Sequence, residues 1–174
     1  MKAEHPEVRY DQARPLTRRF SARGAAWLAA ALLTACTSGP VHRVSEPSVQ
    51  IQQLTVRDDG RWAVELRIEN FSSVPMRFEA VDLALNFGEH DAGHVTAQPA
   101  LSIGPESADV ASTVITPQAG GKLAVADALA SGRSISYTLA GRVDATPDEG
   151  KQRSFDIQRS SQLNPAPGLP GVLR

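Results

Sequence analysis

The chain has 174 residues, 41% hydrophobic and 21% charged, with 13 Gly, 12 Pro and one Cys. These totals exclude a disordered or collagen-like chain, an internal disulfide framework and a multi-cysteine metal site, and the length suits one domain. Eighteen Lys and Arg against 19 Asp and Glu leave a net charge of −1, so the charge does not favour a nucleic-acid partner.

That average hides a division. Residues 1–35 carry Lys2, Arg9, Arg14, Arg18, Arg19 and Arg23 against Glu4, Glu7 and Asp11, whereas the remainder is acidic on balance. An apolar run, Gly24 to Leu33, follows the arginines. It is too short to cross a bilayer, which takes roughly 20 apolar residues. A basic stretch, a short apolar core and then small residues read as a secretory signal peptide over 1–35. Leu33-Thr34-Ala35-Cys36 resembles the lipobox that closes bacterial lipoprotein signals. The resemblance implies cleavage before Cys36 and transfer of diacylglycerol to its thiol. The partner would then be the membrane itself, reached through an N-terminal lipid anchor. Thr37 in place of Asp favours, by the same resemblance, an outer-membrane location facing the periplasm. Two details depart from the usual leader. The polar stretch before Arg18 is long, and Thr17-Arg18-Arg19-Phe20 is similar to a twin-arginine export motif with its Phe one place early.

Residues 36–47 read as the lipidated Cys and a flexible tether. Period-two alternation then begins. Val49 to Val56 and Arg61 to Glu69 flank Asp58-Asp59-Gly60 as a hairpin, with Trp62, Val64, Leu66 and Ile68 inward. The parity of apolar positions slips near Gln52-Gln53, and again near Ala80-Val81 in a long strand from Met76 to Phe87. A slip of one residue would turn the inward face outward unless a bulge absorbs it. Residues 88–93 read as a turn, 94–98 as a strand, 99–107 as a loop and 108–116 as a strand. Lys122 to Ser131 is rich in Ala and Leu and predicts a helix, with Gly120-Gly121 before it and Gly132 as its stop. Arg133 to Asp144 and Ser154 to Arg159 complete seven strands. The expected fold is mostly β: an antiparallel sandwich over 48–160 with one short helix. Trp62, Val64, Leu66, Ile68, Leu83, Leu85, Tyr137 and Leu139 are expected to share its core. Residues 161–174 hold too many Pro and Gly for regular structure and read as a tail, although Leu163, Leu169, Val172 and Leu173 make it more than a solvated one and leave three readings open: disorder, a segment laid across the sandwich, or a partner peptide.

The order of these elements resembles the late embryogenesis abundant (LEA) type 2 family, also called the WHy domain. The resemblance is carried by the strand ending Arg67-Ile68-Glu69-Asn70, the bent strand, the Gly-bracketed helix and Ile135 to Gly141 with Tyr137, Leu139 and Gly141. The family's Asn-Pro-Asn is here Asn70-Phe71-Ser72, so only its first Asn is kept. The resemblance implies a fibronectin type III-like sandwich and a non-catalytic role linked to desiccation or other stress. Asn70 is expected to fasten strands rather than bind a ligand, since a loop Asn bonds readily to nearby backbone.

No nucleophile elbow, phosphate loop or dinucleotide fingerprint is present. Glu89, His90, Asp91 and His94 form the densest polar group, and in a glycine-flanked turn they read as a solvated hairpin tip rather than a metal site. No catalytic residue, cofactor or metal is expected. Three roles stay open at this level: a protective envelope lipoprotein of LEA type 2 kind, an assembly or adaptor lipoprotein that binds an envelope protein partner, and a carrier of lipid or another hydrophobic ligand.

Overall fold

Alternating segments become paired strands wherever their apolar faces can meet. The structure, a computed structural model, describes residues 42–174. Among them are β1 (Ser48–Val56), β2 (Trp62–Asn70), β3 (Met76–Phe87), β4 (His90–Ala97), β5 (Leu101–Ile103), β6 (Ser107–Ile115), α1 (Ala119–Ser131), β7 (Ile135–Pro147), β8 (Arg153–Leu163) and β9 (Val172–Leu173). One sheet has the order β6-β2-β1-β9, the other β4-β3-β7-β8, with β5 also on β3. All pairings are antiparallel. The chain is thus mostly β, two sheets packed face to face.

The two inner faces make one core. Trp62, Val64, Leu66 and Ile68 of β2 share it with Leu83 and Leu85 of β3 and Tyr137 and Leu139 of β7. Trp62 and Phe87 meet edge to face, their ring centroids 5.9 Å apart. Both parity slips are absorbed where alternation fails. The β1–β2 register shifts between Ile51 and Gln53, and the β3–β7 register between Phe78 and Ala80. Each shift keeps the apolar residues on both sides of it facing inward: Val49, Ile51 and Leu54 in β1, and Met76, Phe78, Val81 and Leu83 in β3 are all buried.

The structure corrects the expected boundaries in several places. There are nine strands among the described residues rather than seven. The expected loop 99–107 contains β5, which pairs Leu101–Ile103 with Met76–Phe78 and buries Ile103. The turn expected over 88–93 is only Gly88-Glu89, because Phe87 already faces His90, and an irregularity beside Gly93 takes up the extra residue. β8 continues through Ser160, Ser161 and Gln162, a polar run held by main-chain pairing to Ile135–Thr138. The C-terminal segment is part of the sandwich and not a tail. Asn164 and Arg174 exchange main-chain hydrogen bonds, Ala166 N–H donates to Val172 O at 2.9 Å, and Val56 N–H to Gly171 O at 2.8 Å. β9 then pairs with Leu54 and Thr55, burying Leu173. Pro167 and Pro170 sit in the reversal of this hairpin, Pro165 bridges to Leu173, and the buried Leu163 and Leu173 anchor its base.

α1 starts three residues earlier than its composition predicts, taking both glycines into its first turn. The reason is contact rather than propensity. A Cβ on Gly121 would lie 2.5 Å from the Ala92 Cβ, so only glycine lets the helix rest on β4. Val125 and Ala128 are buried beneath it. The predicted stop holds: Gly132 is left-handed, its N–H donates to the carbonyls of Ala128 and Leu129, and Arg133 N–H donates to Ala128 O at 3.0 Å.

The pairing gives the sandwich two distinct ends. The β2–β3 loop, the β5–β6 turn and the β7–β8 turn gather at one, where Glu106 N–H donates to Ser72 O and Asp148 N–H to Pro75 O. The β1–β2 turn, the β3–β4 turn, α1 and the C-terminal hairpin lie at the other.

Candidate functional site at the tether-bearing end

Asn70 ends β2 and is 1% exposed. Its Nδ2 donates to Val74 O at 2.9 Å, Ile103 O at 3.1 Å and Gly104 O at 2.9 Å. Its Oδ1 accepts from Ser72 N–H at 2.9 Å. One side chain therefore ties the end of β2, the start of β3 and the β5–β6 turn. Buried main-chain groups need such partners.

Ser72, fully buried, carries the connection outward. Its Oγ accepts from Ser45 N–H at 3.0 Å and lies 3.0 Å from Met76 Sδ. Next to it, Ser73 Oγ accepts from Arg43 N–H at 2.8 Å, and Ser73 N–H donates to Arg43 O at 3.0 Å. The Arg43 guanidinium donates to Phe71 O at 3.2 Å and stands 3.6 Å from Glu106. Residues 43–45, expected as free tether, are instead clasped to the Asn70 loop. Val44 between them packs against the core, but nothing local signals the hydrogen bonds, since the partners lie almost thirty residues away.

Tyr137, Leu139 and Gly141 lie on β7 in the other sheet, so the structure does not bring them to Asn70. Tyr137 OH crosses the core and accepts from Ile51 N–H at 3.0 Å, at the residue where the β1 register slips. It thereby satisfies a buried donor that the bulge takes out of the ladder. Leu139 is wholly buried. Gly141 faces Leu83, and a Cβ there would lie 2.2 Å from Asp82 O, so the close strand approach admits no side chain. Cys36 lies outside the described residues.

The His90–His94 group does not converge. Both are in β4, four residues apart along an extended strand, which spans roughly 13 Å. His94 Nδ1 lies 2.7 Å from Asp82 Oδ1 on the solvent side, and Asp91 Oδ1 accepts from Gly93 N–H. Among the described residues, no three His, Cys, Asp or Glu are placed to hold a metal ion. A perturbed carboxyl occurs far from this end, in the β1–β2 turn. Hydrogen bonds from the Arg61 guanidinium, then from its main-chain N–H, hold Asp59 below the usual carboxylate range. Both side chains are solvated, and the pair closes the turn.

No protein-family model matches this chain, and no curated protein does. Several solved structures are similar to it. One is a solution structure of a protein provisionally described as late embryogenesis abundant, with 11% identity and a TM-score of 0.44, covering 86% of this chain and 80% of that one. A protein from Arabidopsis thaliana has 12% identity and a TM-score of 0.45, with 75% and 88% covered. A protein from Archaeoglobus fulgidus has 10% identity and a TM-score of 0.42, with 71% and 98% covered.

Proposed function

We propose that this protein is a non-catalytic envelope lipoprotein of LEA type 2 kind, held by a lipid on Cys36 and protecting other proteins at the membrane under drying or related stress. The observation that carries this reading is the clasp. The stretch that follows the lipobox is bonded into the sandwich by Ser72 and Ser73, in the loop that Asn70 shapes. A chain that connects a lipid to a domain benefits from such a rigid seat, because force or motion at the anchor is passed to the hydrogen bonds with Ser72 and Ser73 rather than to β1. The matched positions are also interior. Asn70 bonds only to main chain, Tyr137 to a buried N–H, and Leu139 fills the core. They build a scaffold, and a general base or nucleophile would need substrate within reach. Each buried acyl CH₂ contributes about 0.8 kcal/mol to membrane attachment, so two or more chains hold stably where one does not.

Two measurements test the reading. The intact mass of protein purified from membranes is expected to correspond to a chain starting at Cys36 and bearing diacylglycerol. An intact leader or a free thiol on residue 36 would overturn the anchor. A labile enzyme dried with the mature protein is expected to recover more activity than one dried with serum albumin. Equal recovery would remove the protective role.

A further inference from the structure

We infer that the tether-bearing end of the sandwich lies against the lipid surface, with the Phe71 side chain as its apolar contact, so that α1 and the C-terminal hairpin face away from the membrane. This rests on lipidation of Cys36.

Chain length sets the constraint. If residues 36–47 were all free, the sandwich could tumble well clear of the bilayer. The hydrogen bonds between Arg43 and Ser73 fix the chain earlier. Only six residues, 37–42, then separate Cys36 from the clasp, and fully extended they reach about 25 Å at most. The end that holds Arg43 is therefore the end nearest the lipid.

That end has a feature suited to lipid. Phe71 is 49% exposed, although its neighbours Asn70 and Ser72 are buried. Those two side chains point inward to build the loop, and the alternation turns Phe71 out. Of the other large apolar side chains exposed among the described residues, Leu123 lies on α1 and Leu169 in the C-terminal hairpin, both at the opposite end, and Val114 lies near the close of β6. Phe71 borders a shallow hollow with Arg43, Arg67, Glu69 and Glu106. The charges there are paired, Arg43 with Glu106 and Arg67 with Glu69 at 3.0 Å. Balanced charge gives little attraction to anionic headgroups. The contact is apolar, and it should depend weakly on salt and on the anionic lipid fraction.

The test uses the mature lipoprotein in vesicles of phosphatidylethanolamine and phosphatidylglycerol, part of the lipid spin-labelled near the headgroup. Its one tryptophan after Cys36, Trp62, is buried and provides a constant background. Phe71→Trp is expected to be quenched by the labelled lipid at least about twofold more than Leu123→Trp or Leu169→Trp. Its quenching should also persist at high salt. Equal quenching of the three reporters overturns the orientation, as does a blue-shifted but unquenched F71W signal, which would place protein rather than lipid over the site. Vesicle flotation and intact mass separate the two levels. A protein that is acylated and floats but shows equal quenching sinks the orientation alone. A protein without acyl chains that stays in the supernatant sinks the lipoprotein reading and the orientation with it.

Discussion

Asn70→Ala is expected to destabilise the sandwich by about 3–5 kcal/mol. The substitution removes a donor group that serves Val74 O, Ile103 O and Gly104 O and an acceptor that serves Ser72 N–H. A buried polar group left without a partner costs about 1–3 kcal/mol. The open hollow beside Glu106 can admit water to some of the four, which keeps the total below a simple sum. Asn70→Asp separates the two halves of the side chain. It keeps an acceptor for Ser72 but sets a carboxylate against three carbonyl oxygens, so it should be no more stable than the alanine variant. The check is the urea midpoint at unchanged m-value. Recovery of the native midpoint by Asn70→Asp would show that the donor side does not matter. Because Ser72 also receives Ser45 N–H, amide exchange at Ser45 should speed up in Asn70→Ala before β1 is affected.

Leu66→Ala is expected to cost about 2–5 kcal/mol, a large part of the roughly 5–15 kcal/mol that holds a domain together. Leu66 is fully buried on a central strand, opposite Ile51 on one side and Ala111 on the other. Its removal leaves a cavity between the two sheets that neighbours on paired strands cannot close. Arg67, one residue on, points to the wet face, where it pairs with a half-exposed Glu69. Exposed pairs of this kind contribute about 0–1 kcal/mol, so Arg67→Ala should move the midpoint little. Equal losses from the two exchanges would mean that the faces of β2 are reversed.

The inward faces, both bulges and the helix stop were legible from the residues because each is a local property. Side chains alternate every second position along a strand, so Trp62, Val64, Leu66 and Ile68 declare a face without knowing what lies opposite. The parity changes at Gln52-Gln53 and Ala80-Val81 mark bulges for the same reason, and Gly132 marks a left-handed helix end. What pairs with what is not local. β5 is three residues long, and β8 runs on through serines. Their place in a sheet depends on Met76–Phe78 and Ile135–Thr138, which supply the hydrogen bonds. The start of α1 depends on Ala92, which a helix propensity cannot anticipate.

The candidate site divides in the same way. Its residue types were apparent from sequence: a loop Asn70 and a Tyr-x-Leu-x-Gly strand from Tyr137 to Gly141. The sequence by itself determined the alternating faces, the bulges and the mostly β class, because those follow from the period of apolar side chains. Only the tertiary structure decided that Asn70 reaches Ile103 and Gly104, that Tyr137 answers the Ile51 N–H, that Arg43 and Ser45 are clasped and that Leu173 closes the edge of β1. Each of these contacts joins residues some 30 to 120 positions apart. Only the closure of the two sheets brings them together, and no short-range pattern of side chains encodes that closure.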